Sequence, residues 1–118
     1  MKTLIYDIEI LGGNFFSVTF IDYKTNRSIQ IYKLNDIEYN IDKLLPIIDS
    51  CFLIGYNNKM YDDIILNKIR KEGINTKELY NLSQEIINSQ KKNRPIWENN
   101  NILPYMRYGV KSLDLMKI

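Results

Sequence analysis

Leu4, Ile5, Tyr6, Ile8 and Ile10 form an almost unbroken apolar run, and two carboxylates, Asp7 and Glu9, interrupt it at a spacing of two. An apolar run of this length is the pattern of a strand covered on both faces, so Met1–Ile10 is expected to pass through the middle of a sheet. Residues two apart on a strand share a face, which sets Asp7 and Glu9 side by side, roughly 7 Å apart at the backbone. Buried carboxylates cost several kcal/mol each unless a cation meets them. The neighbouring positions offer no Lys or Arg to do so. A hard divalent cation such as Mg²⁺, which takes carboxylate oxygens, is the candidate. Two acids at the exposed end of a strand would fit the same spacing at no cost.

The rest of the chain fills in the sheet. Gly12-Gly13-Asn14 is a turn signal, and Phe15–Ile21 alternates as a second strand. Asp22–Arg27 is polar and turn-like, and Ser28–Lys33 alternates as a third strand, half exposed at an edge. From Asp36 the period changes: Ile37, Ile41, Leu44, Leu45 and Ile48 fit one helix face, with Asp36 or Asn40 as cap. Pro46 predicts a kink or break there. Phe52–Tyr56 has the size of a buried strand, and Asn57-Asn58 opens a helix that Gly73 stops. A third helix is expected over Thr76–Gln90, with Asn75 and Glu78 as a capping box. Lys91–Tyr108 reads as a loop and Val110–Met116 as a last strand. The order βββ-α-β-α-(α)-β predicts an α/β (α+β) domain, a mixed five-stranded sheet with helices packed on it.

Composition removes whole classes of chemistry. The chain of 118 residues has no histidine and one cysteine, which excludes a Ser-His triad, a His-metal site, an internal disulfide and a cysteine zinc site. Any reaction must be run by carboxylates, lysine, tyrosine or a metal. A net charge of +2 does not announce a nucleic-acid binder, and no apolar run is long enough to span a bilayer. A cytoplasmic protein without membrane contact is the expectation.

A second motif lies in Gly55–Asp63, where Asn57 is followed four and five residues later by Tyr61 and Asp62. This places an acid in a helix's first turn, where free backbone N–H groups favour negative charge. One of Asp62 and Asp63 would in any case complement that dipole. D-x-E on the first strand (Asp7, Glu9) followed by N-x-x-x-Y-D at a helix start (Asn57, Tyr61, Asp62) resembles the exonuclease domain of the DEDD superfamily of 3′–5′ exonucleases, which has a ribonuclease H-like fold. Leu53–Leu66 and Val110–Met116 are similar to such domains encoded by bacteriophages. The resemblance covers essentially the whole chain.

The resemblance implies a ribonuclease H-like domain over residues 1–118. It implies a catalytic and metal-binding set of Asp7, Glu9 and Asp62, with Mg²⁺ or Mn²⁺ as cofactor. Asp7 would bridge two ions, Glu9 would serve the ion of the attacking water and Asp62 the other. It also implies single-stranded DNA or RNA ends as partner and a bacterial host cell as location. Asn57, Tyr61, Lys91, Lys92, Arg94, Trp97 and Arg107 are the substrate-binding candidates; basic residues interleaved with aromatics suit phosphates and bases, and also suit a solvated loop. The family's third motif, a fourth acid on a later helix, has no match before Ile118. The sequence thus predicts a C-terminally shortened domain with an incomplete two-metal site. Its sheet would be left apolar on one face, where a second copy or a protein partner would dock. The alternative function is a catalytically inactive binding protein on the same fold, such as a phage inhibitor of a host defence nuclease.

Overall fold

Alternation along the first strand decides the layering. In β1 (Lys2–Leu11), Leu4, Tyr6 and Ile8 are buried, whereas Ile5, Asp7 and Glu9 are exposed. The structure is a computed structural model that describes residues 1–106 and 110–117. β2 (Phe15–Asp22) pairs antiparallel with β1, and β3 (Ser28–Leu34) antiparallel with β2. This register sets Phe20 beside Tyr6, Val18 beside Ile8 and Ile31 beside Val18. β5 (Cys51–Gly55) and β6 (Ser112–Asp114) add parallel strands on the other side of β1. With β4 (Ile37–Tyr39), the described residues form a six-stranded mixed sheet in the order β4-β3-β2-β1-β5-β6.

The mixed α/β class agrees with the sequence, but the strand count does not. Ile37–Tyr39, read as the start of a helix, pairs antiparallel with β3 at Tyr32–Leu34. Tyr39 stacks on Tyr32 at 5.3 Å between ring centroids, and this cross-strand aromatic pair outweighs the helical spacing. β3 is therefore not an edge. Helix α1 (Leu44–Ser50) starts later, with Pro46 in its first turn, where no intrahelical N–H is required. No break results. Asn40 does not cap by its side chain; it adopts φ 56° and its amide donates to the Gln30 carbonyl.

Helix α2 (Asp62–Glu72) ends at Gly73, whose φ of 86° is the conformation a glycine supplies. Helix α3 (Thr76–Lys91) is capped by Asn75, which accepts the Glu78 N–H at 3.1 Å. The buried sides of the helices (Leu44 and Ile48; Ile64, Ile65 and Ile69; Leu79, Leu82 and Ile86) form one core with Leu4, Tyr6, Ile8, Phe16, Val18 and Phe20. Residues 91–106 carry two short 3-10 turns and contribute Ile96 and Ile102 to that core.

β1 was expected to be covered on both faces. Among the described residues it is covered on one. Ile5, Ile21 and Leu113 share the other face and are 42%, 38% and 38% exposed. Asp7 and Glu9 lie on that open face, so neither bears the cost of burial that the apolar run suggested.

Candidate metal site at the ends of β1 and β5

β1 runs on past the end of its parallel neighbour. Its pairing with β5 covers Lys2–Ile5, and β5 stops at Gly55. Beyond that point, among the described residues, the backbone of β1 has no strand beside it on this edge, and Asp62 takes the place of one. Its carboxylate accepts a hydrogen bond from the backbone of Ile8. The crevice beyond the carboxyl ends of parallel strands is the usual location of ligand sites in open α/β sheets.

Asp62 is the first residue of α2 and is 8% exposed. Burial pushes its carboxyl up to about 7, and the charges of Asp7, Asp63 and Asp114 push in the same direction, while the Ile8 N–H opposes them. The structure thus brings Asp62 within electrostatic reach of Asp7. It does not gather Asp7, Glu9 and Asp62 as one set, because among the described residues no three carboxylate or thiol side chains form a group able to hold a metal ion. Among those residues no Lys or Arg forms an ion pair with Asp7, Glu9 or Asp62. Asp7 and Asp62 are carboxylates, the donor type that a hard cation such as Mg²⁺ takes.

The turn between β5 and α2 is built by residues that the sequence reading passed over. Asp63 accepts from the Tyr6 hydroxyl, from the Ser112 hydroxyl and from the Asn58 amide at 3.2 Å, and Lys59 Nζ stands 3.4 Å away. Burial, then Asp63 itself, holds the Tyr6 hydroxyl far above the ordinary tyrosine range. Asp114 is 2% exposed and accepts the backbone N–H groups of Asn57 (2.8 Å), Lys59 (3.1 Å) and Met116 (2.9 Å). In the sequence the two aspartates look like a dipole complement and an acid on a strand. Tyr6 and Ser112 lie about fifty residues from Asp63, as Asn57 and Lys59 do from Asp114, and no local pattern points to those partners.

The substrate candidates divide. Asn57 adopts φ 58°, a left-handed position that Asn tolerates better than most residues, and turns the chain out of β5. Tyr61 is half-buried and its hydroxyl pairs with Ser83 at 2.5 Å; burial raises its pKa above the usual value. Tyr56, expected within a buried strand, is 70% exposed and lies just beyond the end of β5. Lys91, Lys92, Arg94 and Trp97 are all exposed. Arg107 lies outside the described residues.

No protein-family model, no curated protein and no solved structure matches the chain.

Proposed function

We propose that this chain is a metal-dependent 3′–5′ exonuclease-type domain of the DEDD kind, with a ribonuclease H-like fold, acting on single-stranded nucleic acid ends. The observation that carries the reading is the placement of Asp62, buried at the start of α2, bonded to Ile8 and facing the charge of Asp7. These are the two positions at which the D-x-E and N-x-x-x-Y-D motifs put acids. The strand order, with β1 flanked by β2 and β5, supports the fold assignment.

In this reading Asp7 and Asp62 hold a Mg²⁺ or Mn²⁺ ion, and Glu9, exposed on the same face as Asp7, orients a water of its shell. When bound, the ion supplies charge to the scissile phosphate and a more acidic water. Lys91, Lys92, Arg94 and Trp97, all exposed, meet the strand in this reading by phosphate contact and base stacking. Among the described residues no helix is long and apolar enough to cross a membrane, and a bacterial cell hosting a phage is the proposed setting. The test is incubation of the chain with 5′-labelled single-stranded DNA and RNA in Mg²⁺ and in Mn²⁺. Stepwise shortening from the 3′ end, lost in Asp7→Ala and Asp62→Ala, is expected. Intact substrate under all four conditions would end the enzymatic reading.

A second reading has its own observation. The described residues gather no group of three acids able to hold a metal ion, and the face that holds Asp7 also exposes Ile5, Ile21 and Leu113. Exposed apolar patches of this kind mark interfaces. A catalytically silent binding protein on the same fold, docking through that face, is the function this favours. Absence of cleavage together with a concentration-dependent sedimentation coefficient, removed by Ile5→Lys, would select it.

A further inference from the structure

The β5–α2 turn has to deliver Asp62 to the edge of β1, and its own hydrogen bonds do little to fix it there. The bend holds a 3-10 turn over Asn58–Met60, and Tyr61 departs from helical geometry at φ −149°, ψ −74°. β1 holds the start of α2 through Tyr6, which bonds Asp63, and β6 holds the bend that leads to it. We infer that Asp114 is a positioning residue for Asp62: it anchors both ends of the Asn57–Lys59 bend to β6 and so sets where α2 begins. One carboxylate oxygen takes the N–H of Asn57 and of Met116, and the other takes the N–H of Lys59. One residue thereby ties the bend to the sheet and to the chain that follows β6. Ser112, two residues earlier on the same strand, reaches Asp63 and Lys59 Nζ, so β6 holds the turn at a second point.

Asp114 is buried, and the chemistry of its side chain fits its partners. The carboxylate suits this place because it offers acceptors on two oxygens and no donor, which matches three converging backbone N–H groups. An Asn would turn an NH₂ group toward one of them.

The role of Asp62 as a metal ligand rests on the function proposed above; its placement by Asp114 does not, and the experiment separates the two. Amide hydrogen exchange of the full chain is compared for wild type and Asp114→Asn. Exchange at Asn57 and Lys59 is expected to quicken at least tenfold. Exchange at Ile8, whose N–H meets Asp62, should quicken with them, while Val18 and Ile86 in the core stay as in wild type. Mn²⁺ affinity, read by water proton relaxation, should fall about tenfold in the variant. Quickening spread evenly over core and turn would show general destabilisation and overturn the inference, as would an Ile8 amide that stays protected while Asn57 and Lys59 loosen. A wild-type chain that binds no Mn²⁺ would sink the metal reading and leave the Ile8 result to judge Asp114. If Asp114→Asn does not fold, Asp114→Glu, which keeps both acceptors on a longer arm, is measured for the same pattern at Asn57, Lys59 and Ile8.

Discussion

Asp62 accepts the backbone N–H of Ile8, and this bond holds a buried carboxyl where the parallel partner of β1 has run out. Its pKa gives a signed prediction. Burial, then Asp7 and Asp63, raise it from an ordinary 3.8 to about 7. The folded chain therefore keeps a proton that the unfolded chain releases. The stability due to that proton is whole below about pH 4 and is lost as pH climbs to about 7. At about 1.4 kcal/mol for each pH unit of the window, the loss is on the order of a few kcal/mol. Asp62→Asn should flatten this fall and leave the variant the more stable chain at pH 8. Urea unfolding from pH 4 to pH 8 checks it; parallel profiles for the two chains would contradict it.

The same repulsion predicts a response to metal. A divalent ion between Asp7 and Asp62 removes the repulsion and adds its own binding energy to the folded state. Millimolar Mn²⁺ or Mg²⁺ should raise the Tm at pH 8, and Asp7→Ala should abolish the rise. Without metal, Asp7→Ala should melt no lower than wild type, because it relieves Asp62 and removes an exposed side chain. An equal rise in both chains would place the ion elsewhere.

The sequence made some of this legible. Period-two runs over Phe15–Ile21 and Ser28–Lys33 and the Asn75 and Gly73 helix signals correspond to elements of the structure, because each rests on local chemistry that tertiary packing did not oppose. Ile37–Tyr39 reads as helix because a three-residue strand has no period to show, and its aromatic partner Tyr32 lies on the preceding strand. The exposure of one face of β1 was hidden for a different reason. Ile5 is apolar like Leu4 and Tyr6, and composition does not tell a covered isoleucine from an open one. At the site, Asp62 was visible through its place in a helix's first turn. Asp63 and Asp114 act through partners such as Tyr6, Asn57 and Lys59, and only the folded chain brings these together.

Gly55 tests how tightly the end of β5 is built. A methyl group there would lie 2.8 Å from the Asn58 Cβ and 2.9 Å from a ring carbon of Tyr6. Neither neighbour yields easily, since Asn58 is fully buried and the Tyr6 hydroxyl is bonded to Asp63. Gly55→Ala should cost about 1–3 kcal/mol, the range for overpacking a closed site. Urea unfolding measures the cost, and a change below about 0.5 kcal/mol would mean that the turn moves freely.

The last prediction concerns the basic end of α3. Lys91, Lys92 and Arg94 are exposed, and among the described residues none has an acidic partner. If they follow the backbone of a single strand, each neutralises about one phosphate and releases the counterion held there. The logarithm of affinity then falls with the logarithm of salt by about 0.7 per contact. Binding is measured in an Asp7→Ala background, so that no substrate is consumed. Replacing all three by Ala should lower the salt slope for an oligothymidine by about 2. Trp97→Ala should behave differently. Loss of a stacking ring costs about 1–3 kcal/mol at every salt concentration and leaves the slope alone. A triple variant with the wild-type slope would remove this stretch from the path of the strand, and a Trp97 effect that vanished at high salt would deny it a stacking role.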